Sequence, residues 1–234
     1  MSIHISAGPA DIAKTVFIPG DPLRAESFAK EFLPDARLVN RVRNALTYTG
    51  TYRGKQVTFH GTNIGLSNQN IYCTELMKEY GVRRIIRIGT CGAIQSGFHL
   101  GDIILASSAS TDSGMNTERF RGLHYSPTAN FFLLEEAYQK AKRLSIEVSV
   151  GQVFATDRFY KEENPDWWKC LAPYGVLALE METSELYTLA AFYKVEALSI
   201  LTVSDIVPTM EKMDAATREH GVSTMMKLAL ELAL

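Results

Sequence analysis

The sequence is poor in cysteine, in long apolar runs and in excess charge of either sign. Its three cysteines, Cys73, Cys91 and Cys170, lie far apart along 234 residues. That spacing supports neither a disulfide framework nor a zinc site and fits reduced thiols in a cytosolic enzyme. No apolar stretch approaches the ~18–20 residues of a membrane span. Met1 to Asp11 has neither the basic start nor the apolar core of a signal peptide. A cytoplasmic location without a membrane partner is therefore expected. Lys and Arg total 24 against 26 Asp and Glu, a net charge of −2. No global positive field exists to hold nucleic acid, so a bound anion needs a local cluster of Arg side chains or backbone N–H groups. His4, His60, His99, His124 and His220 are scattered, and Gly-x-Ser-x-Gly is absent. A Ser-His-Asp triad is unsupported, and no residues stand at metal-ligand spacing. His60, inside a strand pattern, reads as structural, and Trp167-Trp168 as packing or an interface rather than a cofactor stack.

What is present is a globular composition, 46% hydrophobic and 21% charged, which excludes a disordered or collagen-like chain. The length predicts one α/β domain over residues 1–234. Val16-Phe17-Ile18 reads as a buried strand cut by Pro19-Gly20-Asp21-Pro22. A helix follows, with Asp21 as N-cap and Pro22 in its first position. Leu46 to Tyr52 and Gln56 to His60 read as paired strands around Arg53-Gly54-Lys55. Cys73, Leu76, Met77 and Tyr80 mark a helix that Gly81 can end. Ile85 to Ile88 reads as a strand entering a turn at Gly89-Thr90-Cys91-Gly92. Further strands are expected at 102–106, at 148–154 with a break at Gly151, at 176–179, and at 197–203 as the last. Helices are expected at 133–144 and 186–193 and in the tail from about Met213. Asp112 to Asn130 is the longest expected loop. The alternation of strands and helices implies a layered α/β fold.

Four segments look chemical. Gly20-Asp21-Pro22-Leu23-Arg24 opens a helix directly after a strand, where exposed N–H groups, the helix dipole and Arg24 favour an anion; an ordinary capped turn is the alternative. Arg87 lies in an apolar strand and needs a partner, because burying an unpaired ion is very costly. Either a protein carboxylate or a bound anion supplies it, and Thr90 adds a hydroxyl nearby. Arg43, in Asn40-Arg41-Val42-Arg43-Asn44, reads alone as a solvated residue. Glu180-Met181-Glu182 ends an apolar strand with two carboxylates facing the same way. They repel unless one meets a cation or hydroxyl groups; a sugar diol or a helix cap would serve. Ser204-Asp205 ends the last expected strand, where ligand-contacting groups gather in α/β sheets. Asp205 is there a candidate general acid, a charge partner for Arg218 or a helix cap.

Together these motifs resemble the bacterial-type, hexameric purine nucleoside phosphorylases of the nucleoside phosphorylase superfamily. The resemblance runs from His4 to the C-terminal helix. It rests on Pro19 to Arg24, Arg87-Ile88-Gly89-Thr90-Cys91-Gly92-Ala93, Ala178 to Glu182 and Thr202-Val203-Ser204-Asp205. It implies a three-layer α/β fold whose twisted mixed sheet closes toward a barrel flanked by helices. It also implies reversible phosphorolysis of purine (deoxy)ribonucleosides to free base and (deoxy)ribose 1-phosphate, with inorganic phosphate as co-substrate and no cofactor. Gly20, Arg24, Arg87 and Thr90 then match the phosphate site, joined by Arg43 from a neighbouring subunit. Met181 and Glu182 match ribose contacts, and His4 reaches the sugar from the same neighbour. Cys91, Gly92, Phe159, Glu180 and Ser204 match the base pocket. Asp205 matches the acid that protonates purine N7, assisted by Arg218. The implied assembly is a homohexamer, a trimer of dimers.

Two segments depart from the family pattern. Gly61-Thr62-Asn63-Ile64-Gly65-Leu66 carries Ile64 where a Met usually touches the sugar. Ile206-Val207-Pro208-Thr209 replaces a polar stretch, and Pro208 removes an N–H. Competing readings are a uridine phosphorylase, a nucleosidase that uses water, and a silent nucleoside-binding protein. A pyrimidine offers no N7 to protonate and a nucleosidase needs no anion cluster, so Asp205 and the Arg set weigh against the first two.

Overall fold

A computed structural model describes residues 2–214 and 222–233. Its sheet grows outward from β1 (Thr15–Ile18), whose four residues are all buried. Side chains alternate across a strand, so Val16 and Ile18 pack among Tyr72, Leu76 and Leu186. Phe17 faces the opposite layer, stacked on Phe59 with ring centroids 5.2 Å apart. A strand buried on both faces reads as a continuous apolar run, as this one does.

The remaining strands are β2 (Arg37–Asn40), β3 (Thr47–Tyr52), β4 (Lys55–His60), β5 (Arg84–Ala93), β6 (Ile103–Thr111), β7 (Val148–Ala155), β8 (Ala178–Glu180), β9 (Glu196–Ile206) and β10 (Glu211–Lys212). They form one mixed sheet in the order β10-β9-β6-β7-β8-β5-β1-β4-β3-β2. A further parallel pairing of β5 with β9 closes β9, β6, β7, β8 and β5 into a five-stranded barrel. Ala93, Ile104, Val153, Ala178 and Leu201, one from each of these strands, share a cluster with small neighbours such as Ala106 and Ala109. A barrel this narrow has room for little more than side chains.

Helices flank the sheet. α1 (Pro22–Phe32), α4 (Phe131–Arg143) and α6 (Ser223–Leu230) contribute Phe28, Leu133 and Met225 to one core cluster. α2 (Leu66–Glu79) and α5 (Thr183–Tyr193) contribute Leu76 and Leu186 to another. Asp21 caps α1 as expected, its Oδ1 accepting from the Leu23 N–H at 2.9 Å, with Pro22 in the first turn. Gly81 follows α2 at φ +60°, the left-handed conformation that glycine adopts without steric cost. Among the described residues no helix is long and apolar enough to cross a membrane.

Several expected boundaries are corrected. Gly89 to Gly92 is no turn but part of β5, because β9 pairs with it continuously through Cys91 and resumes at Gly92 after a register shift. β7 runs unbroken through Gly151, where a side chain would collide with Leu177 at 2.6 Å. β6 extends to Thr111. The expected loop from Asp112 to Asn130 contains α3 (Gly114–Arg119) and a bridge from Thr128 to Ser108. β9 continues past Val203, so Ser204 and Asp205 lie within it. β10 returns against its end, pairing Lys212 with Asp205 and Glu211 with Ile206. Of the tail helix expected from about Met213, residues 215–221 lie outside the described residues and Ser223–Leu230 is helical, while the Met213 N–H is bound by the Ser204 carbonyl at 2.9 Å. β2 carried too short and polar a pattern to be read as a strand.

Candidate active site

Parallel strands β1, β5 and β9 bring their C-terminal parts together, and ligand sites of α/β sheets form at such ends. There a cavity of about 1090 Å³ opens. Register explains why distant motifs meet in it. Arg87 lies beside Ile18, so the following Pro19-Gly20 turn lands next to it. Gly92 lies between Leu179 of β8 and Asp205 of β9. The cavity is thereby lined by Gly20, Arg24, Arg87, Thr90, Cys91, Gly92, Glu180, Met181, Glu182, Ser204 and Asp205, with Phe159 from the segment after β7.

Arg87 is the electrostatic centre. Its side chain, like those of Glu180 and Glu182, is almost wholly buried. Its guanidinium donates to Glu180 at 3.3 Å and makes a close ion pair with Glu182. Of the two kinds of partner that the sequence left open for Arg87, the structure shows protein carboxylates facing it. The repulsion between Glu180 and Glu182 is relieved by the same contact. Burial alone would pull the Arg87 guanidinium down, but Glu182 and then Glu180 outweigh it and its pKa lies above the ordinary value. Burial pushes the Glu180 carboxyl up against the pull of Arg87. Gly89 is required here, since a Cβ would sit 2.7 Å from Arg87 Cζ.

Glu180 also accepts the N–H groups of Glu182 and Thr183 at 2.9 Å. It therefore holds the first turn of α5 as well as Arg87, and the positive end of the helix favours its charge. Glu182 accepts the Gly65 N–H at 2.6 Å, which ties the Thr62-Asn63-Ile64 segment to the cavity. Ser204, buried, donates to Asp205 Oδ2 at 2.6 Å. Thr156 and Lys161 bind Asp112 at 2.9 and 2.5 Å, anchoring the segment that carries Phe159.

His4 and Arg43 do not line this cavity. His4 Nδ1 pairs with Glu75 at 2.7 Å, and its ring lies edge-on to Tyr72 with centroids 6.2 Å apart. Arg43, exposed at φ +52°, lies near the same tyrosine. Burial raises the pKa of the Tyr72 hydroxyl and the Arg43 charge opposes that rise. Both residues thus lie outside the cavity lining. Arg218 lies outside the described residues. Trp167 and Trp168 line the cavity; they also pack, Trp167 against Phe154 at 5.6 Å between centroids. No spacing or periodicity around them pointed to the site. His60 is fully buried, with Nδ1 bonded to Thr47 Oγ1 at 2.7 Å, and burial takes its pKa down to about 3. Among the described residues no group of three or more His, Cys, Asp or Glu side chains could hold a metal ion.

Residues 14–233 match the model of the phosphorylase superfamily. A purine nucleoside phosphorylase DeoD-type from Thermoanaerobacter sp. (strain X514) is 51% identical over 233 residues, covering 100% of both chains. Proteins of the same name from Caldanaerobacter subterraneus subsp. tengcongensis and Brevibacillus brevis are 51% and 50% identical. They cover 100% of this chain and 100% and 99% of their own lengths. With the barrel, the cavity and these full-length similarities together, the chain belongs to the phosphorylase superfamily.

Proposed function

We propose that the cavity carries out reversible phosphorolysis of purine ribo- and 2′-deoxyribonucleosides, releasing free base and (deoxy)ribose 1-phosphate, with the whole chain acting as one catalytic domain. The observation that carries this reading is the order of groups along the cavity. Along β5 the lining runs from Arg87 through Thr90 to Cys91 and Gly92, with Glu180 and Glu182 facing Arg87 and Asp205 beside Gly92. An anion, a sugar and a heterocycle fit that order. Cleaving the glycosidic bond builds positive charge on the sugar and negative charge on the purine. Orthophosphate held by Gly20, Arg24, Arg87 and Thr90 faces the sugar and stabilises the oxocarbenium-like state. Holding both reactants makes the attack effectively unimolecular. Glu182 accepts the sugar hydroxyls. Asp205, oriented by Ser204, acts as the acid toward N7 of the departing purine, with Arg218 assisting. Phe159, Cys91, Gly92 and Glu180 enclose the base. The reaction uses phosphate as co-substrate and needs no cofactor.

Charge supports a shared site. Within one chain, Arg87 is offset by Glu180 and Glu182. A phosphate dianion gains from a further cation, and Arg43 of a neighbour would provide it while His4 of the same neighbour reaches the sugar. The assembly is a trimer of dimers in the cytoplasm. The test follows base release from adenosine, inosine, guanosine and uridine with and without phosphate. Phosphate-dependent release from purine nucleosides, with pentose 1-phosphate as product, is expected. Free ribose formed without phosphate, or turnover of uridine alone, overturns the reading.

A further inference from the structure

We infer that Lys161 is a positioning residue for the nucleoside: its ammonium, held between Asp112 and the Trp167 ring, fixes the aromatic pair Phe159-Tyr160 at the cavity before a nucleoside arrives. This rests on the phosphorolysis reading above and concerns how that site is kept in shape. The segment between β7 and β8, residues 156–177, contains no strand and has only short 3₁₀ turns at Trp167–Cys170 and Ala172–Tyr174. A connection that long with so little regular structure is mobile unless it is tied down. Phe159 and Tyr160 lie in it and line the cavity. Their exposures of 63% and 73% leave them little packing of their own, and their rings meet each other edge to face at 5.0 Å between centroids. Their place is therefore set by the chain on either side.

Both sides are tied to one carboxylate. Asp112 directly follows β6. Before the aromatic pair, its Oδ1 accepts the Asp157 N–H at 3.0 Å and its Oδ2 accepts the Thr156 hydroxyl at 2.9 Å. After the pair, Lys161 Nζ donates to the same Oδ2 at 2.5 Å. The Lys161 side chain is only 10% exposed, an unusual burial for lysine. Its ammonium also lies 3.5 Å from the centroid of the Trp167 ring, and Trp167 packs on the buried Phe154. One group thus makes a charge-assisted hydrogen bond and a cation–π contact. Burial opposes the Asp112 charge, yet Lys161, the Asp157 amide and Thr156 together hold its carboxyl below the usual range. With these partners the ammonium is committed to the protein, and it acts on the nucleoside through Phe159 and Tyr160. Arg24, Arg87 and Thr90, the groups proposed for phosphate, stand on α1 and β5, outside this segment.

Without the tie, only a fraction of the molecules hold the pair in place. Apparent nucleoside affinity falls by that fraction, while turnover of the bound complex is kept. The experiment measures kcat and the KM values of nucleoside and phosphate, with adenosine or inosine, whichever wild type turns over faster. The variants are Lys161→Met, Asp112→Asn, the two combined, and Lys161→Arg. Each of the first two is expected to raise the nucleoside KM about tenfold or more, with kcat within about threefold and the phosphate KM within about twofold of wild type. The combined variant should be no worse than the worse single one, since both break one contact. Lys161→Arg keeps a cation on the ring and should recover most of the nucleoside KM. Trp167 and Trp168 are the two tryptophans of the protein, so its tryptophan emission reports on this segment; it should change in Lys161→Met and return in Lys161→Arg. If Lys161→Met does not fold, the near-isosteric Asp112→Asn is judged by the same KM values. Unchanged emission in Lys161→Met, or a nucleoside KM within about twofold of wild type in either variant, overturns the inference and leaves the phosphorolysis reading standing. So does a fall in kcat with equal rises of both KM values, the mark of a merely structural lysine. If wild type releases no base from adenosine or inosine in phosphate, the phosphorolysis reading falls and the inference falls with it.

Discussion

Replacing Arg87 by Met tests the centre of the site, because Met keeps an unbranched apolar stem and removes the guanidinium with its charge and its donors to Glu180 and Glu182. Arg87, Glu180 and Glu182 are all buried, so solvent screens their interaction little. Removing one partner of such a set costs about 3–5 kcal/mol, chiefly by leaving carboxylates buried without their counter-charge. Glu180 keeps the Glu182 and Thr183 amides, and Glu182 keeps the Gly65 amide, which argues for the lower half of that range. The variant should also change the pH dependence. Burial already raises the Glu180 pKa, and loss of the Arg87 charge removes the strongest opposing influence. The native variant then holds a proton that the unfolded chain has released above pH 4.5, the ordinary Glu180 value. Stability is therefore retained below that pH and lost as pH rises toward the raised native pKa, at up to about 1.4 kcal/mol per pH unit per proton. Urea unfolding in phosphate-free buffer at fixed chain concentration, from pH 5 to 8, measures both effects. Combining Arg87→Met with Glu180→Gln should recover much of the loss, since one carboxylate then remains. A single variant within about 1 kcal/mol of wild type at pH 7.5, with an unchanged pH slope, would refute the reasoning.

Four other outcomes are expected. Asp205→Asn should lose roughly 10²–10⁴-fold in kcat/KM on unmodified purine nucleosides but far less on 7-methylated ones, whose leaving group needs no proton; equal losses would exclude the general-acid role. Mixing inactive His4→Ala and Asp205→Asn chains, with subunit exchange, should restore activity if two chains build each pocket, whereas no recovery at any mixing ratio argues for sites within one chain. Arg119 binds Glu185 at 2.6 and 2.9 Å, and Glu185 is the more buried partner. Arg119→Met should therefore destabilise α3 and the fold more than Glu185→Gln, as thermal unfolding would register, because a guanidinium can turn toward water and the buried carboxylate cannot. His60, with its pKa depressed from 6.5 to about 3 by burial, contributes stability that is full above pH 6.5. That contribution is lost on acidification toward pH 3, at about 1.4 kcal/mol per unit. His60→Gln should flatten this acid limb, and an unchanged urea-unfolding profile from pH 7 to 4 would count against it.

Local chemistry made much of the architecture legible in sequence. The Asp21-Pro22 helix start, the hairpin around Gly54 and the apolar stripes of α2, α4 and α5 depend on neighbours three or four residues away, so short windows contain their causes. The motifs holding Gly20, Arg24, Arg87, Thr90, Glu180, Glu182 and Asp205 stood out for the same reason: charged or glycine residues interrupt apolar runs where strands end. Tertiary structure decided what those windows could not contain. Pairing of β5 with β9 turned an expected Gly89–Gly92 turn into barrel strand, and β10 drew the end of β9 past Asp205. It also decided that Arg87 meets two carboxylates of its own chain, and that Trp167, Trp168 and Val207 pack around one buried cluster while His4 and Arg43 stand outside the cavity lining. Each of these depends on strand register across scores of residues, and register is set by the summed packing of the closed sheet rather than by any single segment.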